Sequence, residues 1–330
     1  MSETASVARP GGLSAIGSIR GARTLGPLVG LIILCIIFGS FAPVFLTPRN
    51  LIQIVQQVME VGTLAVGQTL IILTAGIDLS NGAIMVLGSI VMAKLAVAAG
   101  VPAPLAILAG LLVTTLLGLL NGLIIALFRV PPFVATLGML NLAYATTLLY
   151  SGQASVDNLP PGLLILDAHI SIGTFLLPIG PLVMLAVIAV MWYLLNQTGW
   201  GRHIYAFGNN VEAARLTGIN VTRLQISAYL SAGIIYGIAA LLVLGRTTVG
   251  DPNAGQTDNL DSITAVVIGG TSLFGGRGGV IGTLIGALIV GVLRNGLTLV
   301  GVEALWQTFA TGIIVIVAVA ADEATRRKRA

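Results

Sequence analysis

Phosphate transfer, metal catalysis and acyl transfer each need particular side chains at particular spacings, and this chain lacks the first requirement of each. Its two lysines, Lys94 and Lys328, both stand outside any G-x-x-x-x-G-K-[ST] loop, so nothing cradles the phosphates of ATP. The glycine run Gly269–Gly279 misses G-x-G-x-x-G, because Ile281 stands where a glycine should follow Gly276 and Gly278, and it separates two apolar stretches. His169 and His203 belong to no H-E-x-x-H, C-x-x-C is absent, and there is no G-x-S-x-G elbow. Cys35 is the single cysteine, so no disulfide can form within the chain. Catalytic residues, metal ligands and cofactors are therefore not assigned. What remains is a set of polar side chains in apolar surroundings: Gln56, Gln57, Glu60, Gln68, Asp78, Ser80, Asn81, Asn121, Asn141 and Arg294. Such groups are costly in lipid and must face an interior. There they can hydrogen-bond a polar solute or tie helices together. Glu60, Gln68, Asp78, Ser80, Asn81 and Asn141 are the candidates for lining a pathway, with both readings open.

The elements that position these groups are set by composition. Charged residues make up 8% of the 330 and apolar residues 56%, with mean hydropathy +1.01; soluble domains are about 25% charged. A soluble fold could not cover its surface this way, whereas an apolar exterior and 42 glycines suit helices packed in lipid. The fold class is all-α integral membrane. Apolar stretches at 26–46, 51–73, 82–99, 103–128, 133–151, 178–195, 225–245, 260–274, 279–299 and 304–321 predict about ten transmembrane helices. The first is about 20 residues long and lacks a small-x-small end, so it reads as a retained span rather than a signal peptide. Residues 1–24 read as a flexible cytoplasmic tail, 25–321 as the membrane domain and 322–330 as a basic cytoplasmic tail.

Charge placement orients the bundle. With the N-terminus inside, Arg9, Arg20, Arg23, Arg129, Arg202, Arg215, Arg223, Arg277 and the terminal Arg326, Arg327, Lys328 and Arg329 are inside, against Arg49, Lys94, Arg246 and Arg294 outside. Twelve against four is a positive-inside bias with both termini cytoplasmic. It also explains the pI near 9.6 without nucleic acid. Asp157, Asp167, Asp251, Asp258 and Asp261 fall in segments read as outside, where Asp251, Asp258 and Asp261 are candidates for docking a partner. Glycines four apart, Gly118 and Gly122, Gly233 and Gly237, and Gly278, Gly282 and Gly286, read as helix-packing grooves.

The longest inside gap, 196–224, holds Asn209-Asn210-Val211-Glu212-Ala213-Ala214-Arg215-Leu216-Thr217-Gly218. Asn209 with Glu212 three residues on resembles a capping box, and Gly218 is a natural stop. The spacing predicts about two turns of amphipathic helix, suited either to a partner's groove or to the membrane interface.

This segment resembles the coupling loop of ATP-binding cassette (ABC) importer permeases. Leu73-Thr74-Ala75-Gly76-Ile77-Asp78-Leu79-Ser80 is similar to the G-I-D-L-S signature of ribose-type permeases, and Ile268–Gly279 to that family's I-G-G-T-S-x-x-G-G-x-G-G run. The likeness runs from about residue 25 to 321, with Asn81 departing from a position that is small and apolar in much of the family. The resemblance implies a bacterial inner-membrane permease subunit for a monosaccharide or related polyol. It also implies a homodimer with a second permease subunit, a separate cytoplasmic ATP-binding subunit and an extracytoplasmic solute-binding protein. Asn209, Glu212, Ala213, Ala214, Arg215, Leu216 and Gly218 would then form the ATPase-coupling helix. A branched-chain amino acid ABC permease and an ion-coupled secondary carrier are the alternatives. At the Asp78 break, the residues allow either a polyol contact by the Asp78 carboxylate and Ser80 hydroxyl or a helix cap by Ser80 and Asn81, with the cap favoured.

Overall fold

A computed structural model describes residues 12–172 and 175–327. Its helices in chain order are α1 (Gly12–Phe41), α2 (Pro48–Leu73), α3 (Asn81–Val97), α4 (Ala103–Phe128), α5 (Pro132–Ser151), α6 (Ile179–Gln197), α7 (Gly199–Asn209), α8 (Val211–Leu216), α9 (Val221–Thr247), α10 (Asp258–Ile268), α11 (Val280–Leu299) and α12 (Ala304–Arg327). Each of the ten apolar stretches falls on a helix, α1 to α6 and α9 to α12. Five of these, α4, α5, α6, α9 and α11, are long and apolar enough to cross a membrane. Proline in the first turn of α2, α4 and α5 starts those helices where an N–H would be unpaired anyway.

The terminal assignments shift. Helix α1 begins at Gly12 and α12 continues to Arg327, so helix covers part of both stretches read as tails. Residues 1–11 and 328–330, with Arg9, Lys328 and Arg329, lie outside the described residues. The 260–274 stretch is helical only to Ile268. At 11 residues, α10 is about 16 Å long, roughly half of a ~30 Å hydrocarbon core. Within the all-helical fold, one short antiparallel pair of strands lies between α5 and α6. Strand β1 (His169–Ile172) pairs with β2 (Phe175–Pro178) in the register His169 to Pro178 and Ile172 to Phe175. Ile170, Ile172 and Phe175 favour the extended chain.

Helices α2 and α9 form the centre. One apolar cluster joins α2 to α1, α6, α7, α10 and α11 through residues such as Val58, Val66, Met184, Ile204 and Ala287. The other joins α3, α4, α5 and α9 through Ile84, Ile90, Met139, Tyr229 and Tyr236. Packing glycines behave as their spacing predicts. Gly118 and Gly122 of α4 lie against Gly233 and Tyr229 of α9, and Gly282 and Gly286 of α11 against Gly269 and Ala265. Gly278 is the exception, since it stands in the loop before α11.

Candidate functional site

The three sequence motifs, far apart along the chain, meet at one place. Gly276 donates its N–H to the Leu73 carbonyl at the end of α2 (3.0 Å). Tyr205 of α7 donates its hydroxyl to the Gly278 carbonyl (3.0 Å). Gly208 packs so closely on the Leu73 carbonyl and the Gly276 N–H that a β-carbon there would require backbone movement. Thr271 Oγ1 accepts from the Gly279 N–H (3.2 Å) and closes the glycine loop on itself. The end of α7 is thus clamped between the α2–α3 break and the glycine run.

From this clamp α8 projects as a separate two-turn helix with both ends satisfied. Its N-cap is Asn210, whose Oδ1 accepts from the Ala213 N–H (3.0 Å), and not Asn209, which closes α7. The cap is therefore displaced by one residue and, with Ala213 at the third helical position, no capping box forms; Glu212 instead pairs with Arg215 on the surface (3.3 Å). At the other end, Ile219 donates to the Ala214 carbonyl (3.2 Å) and Gly218 to the Arg215 carbonyl (3.0 Å). With Gly218 at φ +86° this is a Schellman stop. Orientation corrects a further expectation. Ala214 is buried against its own chain, whereas Glu212, Ala213, Arg215 and Gly218 face outward and Leu216 is 88% exposed. The outward apolar side chain of α8 is Leu216.

At the α2–α3 break, Asp78 is fully buried. Its Oδ1 accepts from the Ser80 N–H (2.8 Å) and hydroxyl (2.5 Å), and its Oδ2 from the Tyr236 hydroxyl (3.1 Å). Asn121 donates to Ser80 Oγ (3.0 Å), and Asn81 donates to Ser262 Oγ (2.7 Å) and lies 3.2 Å from the Gln68 amide. Gln68, with its amide turned to satisfy both ends, brackets the Asp78 backbone at 3.0 and 3.2 Å. Ser80 caps no helix N–H with its side chain. Asp78 organises the turn in its place. Gln68, Asp78, Ser80 and Asn81 are all at zero exposure with partners inside the chain, so here the helix-tying role of buried polar groups applies.

About 20 Å along α2 from Leu73 lies a second polar group, made of charges. Arg246 grips Glu60 Oε2 through Nε (2.9 Å) and Nη2 (2.5 Å). Arg294 pairs with Asp261 (2.5 Å), and the Asp258 carboxyl meets that of Glu60. Asp258 and Asp261 are 8% and 1% exposed, which removes them from any docking surface; Asp251 stays partly exposed in the loop. Sequence reasoning missed Arg246 as a partner of Glu60 and both Tyr229 and Tyr236. Glu60 and Arg246 are 186 residues apart, and no local pattern links them.

Two cavities flank the start of α10. One of about 130 Å³ is lined by Gln57, Glu60, Arg246, Asp258 and Arg294. The other, of about 290 Å³, opens between α3, α5 and residues 252–259 and includes Leu79, Asn141, Tyr144, Thr147, Gln256 and Asn259. Of the candidate pathway residues, Asn141 alone lines this larger space, and Glu60 lines the smaller.

Comparison with known proteins matches this architecture. The family described as branched-chain amino acid transport system / permease component matches residues 50–319. The fructose import permease FrcC of Rhizobium meliloti is 43% identical over 91% of this chain and 85% of its own. The ribose import permease RbsC of Bacillus subtilis is 41% identical over 91% and 92%, and the galactose/methyl galactoside import permease MglC of Escherichia coli 35% identical over 90% and 93%. No solved structure matches. With a family match over most of its length and relatives this similar from end to end, the chain belongs to the permease components of ABC importers, the multi-pass, non-catalytic membrane subunits of those machines.

Proposed function

We propose that this chain forms the translocation pathway of a bacterial importer for a monosaccharide or related polyol. Relatives similar over nine-tenths of the chain carry the names of fructose, ribose and galactose permeases, which supports that solute class. Such a permease works with an ATP-binding subunit and a solute-binding protein. The pathway forms between two copies of the chain. Both termini and α8 face the cytoplasm, in keeping with the twelve-to-four distribution of bases.

The coupling assignment rests on the presentation of α8: a doubly capped two-turn helix, anchored at Gly208 and ending in an exposed Leu216. A helix that carries an apolar side chain into water suits insertion into a groove of the ATP-binding subunit. ATP binding moves that subunit, α8 moves with it, and the clamp passes the motion to the end of α2. Specificity then comes from different affinities for the solute in the two orientations. Leu216→Asp tests this in the co-expressed complex. The expected result is normal permease abundance in the membrane, loss of ATP-dependent uptake and poor co-purification of the ATP-binding subunit. Wild-type uptake with full recovery of the complex overturns the assignment.

A further inference from the structure

We infer that the cavity between α3, α5 and residues 252–259 is a recognition site for the ring of a neutral polyhydroxylated solute, with Tyr144, Gln256 and Asn141 as its specificity-determining residues. The inference rests on the transport reading above and adds to it a place and a chemistry.

Three observations carry it. First, the lining holds no Asp, Glu, Lys, Arg or His. A zwitterionic amino acid leaving water needs counter-charges for its ammonium and carboxylate, and an unpaired ion in such a site is expensive. A sugar needs only donors and acceptors. Second, those are available. The side chains of Tyr144 and Gln256 have no hydrogen-bond partner among the described residues. Asn141 uses Nδ2 on the Leu137 carbonyl (3.2 Å) and leaves Oδ1 open. At the buried break, by contrast, Gln68, Asp78, Ser80 and Asn81 are bonded within the chain and sealed from solvent. Third, the shape fits. At about 290 Å³ the cavity is at the lower edge of the ~300–1,000 Å³ range of ligand sites. Leu79, Ala83, Val86 and Leu140 supply an apolar wall beside the amides. Polar and apolar faces side by side are what a sugar ring presents. Asn141 and Tyr144 are also exposed on α5, and polar groups at that depth face a water-filled path or a partner in preference to lipid.

The test uses the complete importer, with binding protein and ATP-binding subunit, and radiolabelled D-ribose, D-fructose, D-galactose and L-leucine as probes. Tyr144→Ala combined with Gln256→Ala is expected to lower the maximal uptake of the carried sugar roughly tenfold, since each lost hydrogen bond is worth a few-fold. The apparent KM should hold, because the binding protein sets capture. Recovery of the assembled complex should be unchanged, which a merely structural role would not allow. Leu149→Ala, on the exposed face of α5 outside the cavity, serves as the control and should transport normally. Uptake of the double variant at the wild-type rate removes the cavity assignment while leaving the transport reading intact. Uptake of leucine and none of the sugars by the wild type overturns both.

Discussion

Asp258 and Asn259 are neighbours in the chain, yet they belong to two different solvents. Asp258 lines a small cavity with Glu60, Arg246 and Arg294, while Asn259 lines a larger one with no charge at all. The first turn of α10 is the wall between them. On the charged side, three carboxyls and two guanidiniums tie α2, α9, α10 and α11 together. On the neutral side, Asn259 reaches across to the Leu79 carbonyl (3.1 Å), and Tyr144 and Gln256 stay available. The contrast separates two uses of polarity in lipid: charges that hold a short helix in place, and uncharged groups left free for a passing solute.

Breaking the charged side should have the largest effect. Arg294→Met leaves Asp261 buried without its cation, and unpairing a buried ion typically costs about 3–5 kcal/mol. Thermal unfolding of the detergent-purified protein should move down sharply. Arg294→Met with Asp261→Leu should recover most of the loss, since apolar replacement of both partners is often neutral. A single variant that melts like the wild type would show that the ion pair contributes nothing.

Intermediate effects are expected where the two polarities meet. Asn259→Asp sets a carboxylate against the Leu79 carbonyl and introduces charge to the neutral cavity. Uptake should fall while the complex still assembles, and unchanged uptake would mean that the solute does not pass this wall. Tyr236→Phe removes one of three hydrogen bonds to Asp78, worth about 1.5–3 kcal/mol for a charged acceptor. A loss of stability without a change in the range of solutes carried supports the structural role of Asp78. An altered solute preference would return Asp78 to the pathway.

The smallest effect belongs to Asp251→Asn. Asp251 is the one acidic residue of the 251–261 stretch outside the buried set, and among the described residues its Oδ1 accepts only from the Asn253 N–H (2.9 Å). Stability should stay within about 0.5 kcal/mol, as for most surface changes. If the loop meets the solute-binding protein, the salt dependence of uptake should shift and nothing else.

Much of the architecture was legible because lipid imposes simple demands. Ten apolar stretches gave ten helices, and glycines at four-residue spacing gave the α4–α9 and α10–α11 contacts. The short helix of the 196–224 gap was legible to within one residue at its cap. Glu212 three residues on favours Asn209 as the cap in sequence, but α7 runs through Asn209 and leaves the cap to Asn210. The inward turn of Ala214 was hidden, since six residues are too few to establish which face of a helix is apolar. Asp258 and Asp261 were misassigned for a different reason. Acidic residues after a span resemble an outer loop until their partners Glu60 and Arg294 are known, and those lie on helices distant in sequence. The strand pair β1–β2 was missed within the long gap between α5 and α6.

The brevity of α10 has a consequence for how the chain is made. Eleven residues that include Asp258 and Asp261 are too short and too polar to enter a bilayer unaided as they leave the ribosome. Their apolar face is received by Gly282 and Gly286 of α11, and the cation that matches Asp261 is Arg294, all of it synthesised later. The segment from Thr248 to Gly279 joins the end of α9 near Glu60 to the start of α11 near Leu73. It therefore has to cross the bilayer before its partners exist, and it settles between α2, α3 and α11 only once α11 has inserted. Biogenesis thus contains a post-insertion step. Nascent chains stopped after Gly279 should leave a cysteine placed at Ser262 open to an impermeant thiol reagent, whereas chains extended past Leu299 should protect it. Protection already present in the shorter chains would show that α10 needs no later partner.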